Sequence, residues 1–220
     1  MDSFQVDWLR FHPNTHPLGH MLHYEGNWNI TRFHLLPDGR DSANNHAELR
    51  ALLERFNTVA TATLGEDAPC YLVALQSPNQ DRPHRYRTDR LKKRYNLVAG
   101  WEFFSTSDAM TYTVWSGDVT WKTNGFNRLL LHIYQSDFWD ILWVNKENGA
   151  VFRPYDAGAD ISQPTPEALM ARISSFYGWM PQDGRGFVTF NQAQMATTKF
   201  QVTKSCAEAI QTVIAAEKRS

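Results

Sequence analysis

The sequence predicts an α+β fold: a single domain in which helices pack on a mixed, mostly antiparallel sheet. Three observations carry this. Short apolar runs rich in aromatic and β-branched residues recur at 70–76, 97–104, 110–115 and 138–144. Two longer segments, 43–64 and 166–178, repeat their apolar residues with the 3.6 period of a helix. Strands joined by both hairpin-length turns and helices suit an antiparallel sheet with helices packed on it. The 220 residues, 42% hydrophobic with eight Trp and thirteen Phe, supply enough apolar surface for a sizeable core.

The elements follow in order. Residues 3–11 form a short helix capped by Ser3, with Phe4, Trp8 and Phe11 spaced for one face. Pro13, Pro17 and Gly19 break the chain after it. Residues 28–36 alternate as a strand, with Trp28, Ile30 and Arg32 on one face and Thr31, Phe33 and Leu35 on the other. A turn at Pro37-Asp-Gly39 leads to the clearest helix, 43–64, capped by Ser42 or Asn44. Leu49, Leu52, Leu53, Phe56, Val59 and Ala60 trace its buried stripe, and Gly65 closes it. Strand 70–76 precedes a polar, basic surface loop, 77–96. Strands 97–104, 110–115 and 119–122 follow, the last two joined as a hairpin through Ser116-Gly117-Asp118. Helix 126–134 and strand 138–144 come next, and the turn Asn145–Gly149 sends the chain back antiparallel along 150–153. Trp139 or Trp143 belongs on the helix-covered face of this pair. Thr165 caps a helix with Pro166 at its first position. A strand at 186–190 and a helix at 204–218 finish the chain. The core is assigned to 1–181 and an extension packed on it to 182–220.

Composition excludes several classes. Twenty-two Lys and Arg against 23 Asp and Glu give a net charge of −1, without the basic excess that draws nucleic acid or anionic membrane. No apolar run nears the roughly 20 residues a membrane span needs. The first residues lack the basic and apolar regions of a signal peptide, so a cytoplasmic location is expected. Cys70 and Cys206 stand in no metal-binding pattern and read as reduced thiols.

Three clusters invite chemistry. His12, His16, His20 and His23 have metal-like spacing, but the intervening Pro and Gly residues break the helix that would gather them. Arg82, Arg85, Arg87, Arg90, Lys92, Lys93 and Arg94, interleaved with His84, Tyr86 and Tyr95, could hold phosphates or bases. The balanced charge elsewhere favours a surface that meets a protein partner instead. In Val151-Phe-Arg-Pro-Tyr-Asp-Ala-Gly-Ala-Asp160, Pro154 must end a strand and Gly158 allows a bend. Asp156 and Asp160 could act as acid and base or hold a cation. A trailing Glu at EF-hand spacing is missing, and local bonds to backbone amides are the favoured role. The nucleophile elbow, the P-loop and the dinucleotide fingerprint are absent. Trp101, Trp115, Trp121, Trp139 and Trp143 read as core, with room for one exposed anchor.

Three segments together carry a resemblance: Arg32-Phe-His-Leu-Leu-Pro-Asp-Gly-Arg40, the helix of Asn44-Asn-His-Ala-Glu-Leu49 and Glu54-Arg-Phe-Asn57, and Val151–Asp160. Over residues 18–181 the chain resembles a family of small, uncharacterised bacterial cytoplasmic proteins. Its members have an Arg-Phe strand ending in Leu-Pro and a later Pro-Tyr-Asp-Gly-Gly-x-Asp turn; here Ala157 replaces the first glycine of that turn. The resemblance implies no cofactor and no particular reaction. Proteins of this type are often immunity proteins, which silence a toxin by stoichiometric binding. We therefore expect a non-catalytic protein with a protein partner, a cognate toxin, met through Arg82–Arg94. The alternative is a hydrolase or nucleotide-processing enzyme using Arg32, Arg40, Glu48, Tyr155, Asp156, Gly158 and Asp160. A nucleic-acid factor using Arg82–Arg94 is the third.

Overall fold

In a computed structural model the protein is described at residues 2–22, 29–36, 40, 42–78, 82–106, 109–136, 138, 140–181 and 188–189, the side chains of 82–86 excepted. Eight strands form one sheet: β1 (Asn29–His34), β2 (Pro69–Gln76), β3 (Val98–Ser105), β4 (Met110–Thr120), β5 (Ile141–Asn145), β6 (Val151–Pro154), β7 (Gly158–Gln163) and the two-residue β8 (Val188–Thr189). Their order is β3-β4-β2-β5-β6-β7-β1-β8. Every described pairing is antiparallel, so the parallel component of a mixed sheet is not seen.

Side chains alternate across the pleat and build two cores. On one face Leu72, Trp143, Phe152 and Ile161 lie beneath α2 (His46–Leu64), α4 (Asn127–Tyr134) and α5 (Pro166–Phe176). On the other, Tyr71, Val73, Leu142 and Val144 meet Phe4 and Trp8 of α1 (Ser3–Phe11), with Leu18 and Leu22 from the segment after it. The faces expected for β1 hold: Phe33 and Leu35 join the first core and Ile30 the second.

The hairpin of β5 and β6 forms as the turn chemistry requires. Asn145 accepts from the amides of Glu147 and Asn148 and donates to the Leu64 carbonyl at 2.7 Å, tying the turn to the end of α2. Trp143 is fully buried on the helix-covered face; Trp139 lies outside the described residues. Pro154 ends β6, and Thr165 caps α5 by accepting from Ala168. Two caps differ from those expected: Asp2 rather than Ser3 accepts from Gln5, and Asn45 rather than Ser42 or Asn44 accepts from Ala47 and Glu48. An Asp or Asn one residue upstream of the first turn serves the orphan amides equally well.

Two expectations are overturned. The basic segment is not a loop but α3 (Arg82–Tyr95). Thr88, Leu91, Lys92 and Tyr95, spaced as one helical face, turn toward the sheet. Residues 110–120 are one strand, β4, instead of a hairpin at Gly117. Gly117 pairs with Leu72 in the ladder, and a Cβ there would meet the Leu97 side chain at 2.8 Å and the Tyr95 carbonyl at 2.9 Å. The glycine clears space for a neighbouring segment; it does not turn the chain. β8 pairs with β1, while the helix expected at 204–218 lies outside the described residues.

Candidate functional site

Register brings the charged residues of the Pro-Tyr-Asp segment together. Asp160 of β7 stands directly opposite Arg32 of β1 and Arg153 of β6, so both guanidinium groups converge on one carboxylate. Arg32 forks onto it, with Nε 2.7 Å from Oδ1 and Nη2 3.0 Å from Oδ2, and Arg153 Nη1 lies 3.3 Å from Oδ2. Arg153 also donates through Nε to Asp140 Oδ1 at 3.4 Å. Asp140 Oδ2 in turn accepts from the Gly19 amide at 2.9 Å and faces His20 Nδ1 at 3.1 Å. The side chains of Asp140 and Asp160 have no exposed surface, whereas those of Arg32 and His20 keep 21% and 27%. Two carboxylates balance two guanidinium groups, and each carboxylate accepts at least two donors, which is how a buried charge is tolerated.

Tyr155 completes the cluster. Its ring lies 4.8 Å from the Arg32 guanidinium carbon and 5.2 Å from that of Arg153. Burial, reinforced by the Asp160 charge, raises the pKa of its hydroxyl well above the ordinary tyrosine value, so the phenol stays protonated and is no base. Gly158 makes this placement possible, because a Cβ there would stand 2.5 Å from both the Phe33 carbonyl and Tyr155 Oη. The expected bend is the tight turn in which the Tyr155 amide donates to the Gly158 carbonyl at 2.9 Å. Ala157 does not adopt a left-handed backbone, so the turn needs no glycine there.

Other sequence candidates are dispersed. Asp156 is exposed; it accepts from the adjacent Ala157 amide at 3.0 Å and from Ser136, the local role expected of it. Arg40 and Glu48 form their own bidentate pair, 2.9 and 3.1 Å, at the start of α2 on the opposite side of the sheet from Arg32. Arg40 lowers the Glu48 pKa, with help from the Asn44 amide. On α3, Arg90, Lys93 and Arg94 are exposed and Arg87 is half-buried. Lys92 points inward: its Nζ lies 3.6 Å from the Trp115 ring centroid and donates to Gln76. The helix carries Arg82 and Arg85 at its start, where side chains are outside the description.

The histidines part ways. His16 stacks on Phe103 at 4.2 Å, His20 meets Asp140, and His23 lies outside the described residues. Among the described residues no three His, Cys, Asp or Glu side chains converge as metal ligands. His12 packs on Trp8 and bonds the Gly149 carbonyl through Nε2 at 2.8 Å. Burial lowers its pKa to about 4 from 6.5, against a smaller opposing pull from that carbonyl. The unfolded chain therefore binds a proton below about pH 6.5 that the folded chain refuses until about pH 4. Stability is expected to drop by up to about 3 kcal/mol across that interval. Urea midpoints measured from pH 7 to 4 should fall less steeply for His12→Gln than for the parent; parallel curves would remove His12 as the cause.

Sequence reasoning named Arg32, Tyr155, Gly158 and Asp160 but not Arg153 or Asp140 as members of this site. Arg153 stood inside the motif, two residues from Tyr155; Asp140 carried no local signal at all.

Residues 18–183 match a protein family described as a domain of unknown function (DUF3885). No curated protein and no solved structure matches the chain. Among the described residues no helix is long and apolar enough to cross a membrane.

Proposed function

We propose that this chain, which belongs to the DUF3885 family of domains of unknown function, is an immunity-type protein. It neutralises a toxin in the cytoplasm of the producing cell by occupying it one to one. The observation that supports this reading is the outer stripe of α3. Arg90, Lys93 and Arg94 fall at helical spacing on its exposed side, while Thr88, Leu91 and Lys92 hold its inner side to the sheet. A rigid helix presenting cations suits an acidic protein face, and such a face gains association rate more than affinity from them. The charged groups that a hydrolytic mechanism would recruit are placed differently. Asp160 is enclosed by Arg32 and Arg153, Arg40 and Glu48 pair elsewhere, and Asp156 shapes its own turn.

The test is co-expression with candidate secreted toxins, at graded ratios. Protection is expected only when the chain reaches about one copy per toxin molecule. Full protection at a small fraction of that amount, with a small-molecule product, would mean turnover and overturn the reading. Arg90→Glu with Lys93→Glu should slow association at low salt several-fold and abolish the decline of rate with ionic strength. Its folding stability should change by less than about 1 kcal/mol, because exposed charges contribute little.

A further inference from the structure

The sheet ends at β3, and that end is open. Eight residues long, β3 pairs with β4 on one side. Among the described residues no backbone hydrogen bond reaches its other side. Such an edge is usually blunted by lysine, proline or shortness, because its unpaired N–H and C=O groups are a template for another strand. Residues 97–106 contain no Lys or Pro and one charge, Glu102. The bulge between Ala99 and Trp101 disturbs only the start of the strand, where the Asp2 carboxylate fills the place of a Gly100 Cβ. The template is therefore 101–105.

Its side chains suit a contact. The two most exposed large apolar residues among those described, Val98 at 62% and Phe104 at 58%, both belong to this strand. Phe104 lies opposite Thr111 and Glu102 opposite Thr113, so both stand on the sheet face that carries Trp115. Phe103 is on the other face, where His16 stacks on it at 4.2 Å. An added strand would meet aromatic neighbours on both of its faces.

Charge decides what the strand is. Helix α3 covers the Trp115 face: Lys92 rests on that ring, and the chain leads from Tyr95 into β3. The helix has seven Lys or Arg against one acid, Asp89, which Lys92 engages at 3.1 Å. Glu102 accepts from the Thr113 hydroxyl at 3.1 Å. A strand beyond β3 would lie about 10 Å across the sheet from β4. Long Arg and Lys side chains narrow that gap to within a screening length of about 10 Å. A second copy paired through its own β3 would bring its basic helix to the same face, its β4 only about 14 Å from this one. The two helices would repel each other, whereas an acidic strand would be drawn in.

We propose that the edge of β3 takes up an extended acidic segment of the partner protein as an added strand, its carboxylates on the α3 side and its backbone laddered to 101–105. That the segment comes from a toxin rests on the stoichiometric-binding reading; the strand site does not.

The experiment uses the full chain, isotopically labelled, and three end-blocked heptapeptides. A peptide of alternating valine and glutamate should shift the backbone amide signals of 101–105 saturably. One of alternating valine and lysine should not. Neither should the acidic peptide with proline at its two inner valines, which keeps the charge but lacks N–H groups that a ladder needs. Phe104→Glu should weaken the acidic peptide roughly tenfold or more, the usual effect of losing a central aromatic anchor. Phe104→Tyr, which keeps the ring, should bind as the parent does. Equal shifts with the lysine or proline peptide, or undiminished binding in Phe104→Glu, would overturn the site. Shifts at 101–105 on concentrating the chain alone would make the occupant a second copy and overturn the assignment to a partner. Peptide binding by a chain that protects against no toxin would sink the immunity reading alone. Protection left intact by Phe104→Glu would sink this inference alone.

Discussion

Asp160→Asn is expected to lower folding stability by about 3–5 kcal/mol, the usual result of removing one partner from a buried ion pair. The substitution keeps the shape of the side chain but leaves Arg32 and Arg153 facing a neutral amide. Both guanidinium groups were spending their charge on this carboxylate, and Arg153 is only about a tenth exposed. Of the two guanidinium groups, the remaining carboxylate, Asp140, bonds that of Arg153. Because Asp160 ties β6, β7 and β1 through opposed register positions, loosening should spread along the whole edge of the sheet that carries β8. Asp156→Asn is the internal control: it alters an exposed turn and should cost less than about 1 kcal/mol. Urea unfolding of both variants decides the matter. Two equal and small losses would mean that the network contributes no more than a surface pair.

Trp143→Ala should be comparably severe, about 3–5 kcal/mol, through lost burial and the cavity left behind. Trp143 is 0% exposed and meets Trp121 edge-on at 5.7 Å, Phe126 at 5.3 Å and Phe152 at 5.9 Å. These contacts join β5 and β6 to the layer beneath α4, so the void could not close without moving several rings. The indole Nε1 is buried and has no hydrogen-bond partner among the described residues. Trp143→Phe therefore discards an unsatisfied donor along with some volume, and its loss should stay below about 2 kcal/mol. Denaturant midpoints for the pair test the argument. If phenylalanine proves as costly as alanine, the indole N–H is being satisfied and the packing account is incomplete.

Local signals in the chain were strong where they coincided. Helix α2 had an apolar stripe, capping residues at its start and Gly65 at its end. The β5–β6 hairpin had two apolar runs and an Asn-rich turn. Pro154 stopped a strand because proline cannot continue the ladder. Helix α3 was missed because its inward face is only partly apolar, Leu91 and Tyr95 sharing it with Thr88 and Lys92. Lys92 occupies a core-facing position by laying its ammonium on Trp115, a residue 23 positions away that no local period can supply. The hairpin read at Gly117 failed because glycine serves both turns and close approaches, and only the neighbouring Leu97 and Tyr95 distinguish them.

By itself, then, the sequence determined the α+β class, most strand and helix positions, which face of β1 is buried, and the residue types of the charged motif. Those depend on interactions within a few residues: periodicity, caps and φ restrictions. Tertiary structure decided that Arg32, Arg153 and Asp160 meet, that Asp140 and Gly19 join them, and that Arg40 and Glu48 do not. Such meetings depend on strand register and on which strands are neighbours, and a shift of one residue would send Asp160 to the opposite face. A charge in the sequence states what it needs; only the assembled sheet supplies the partner.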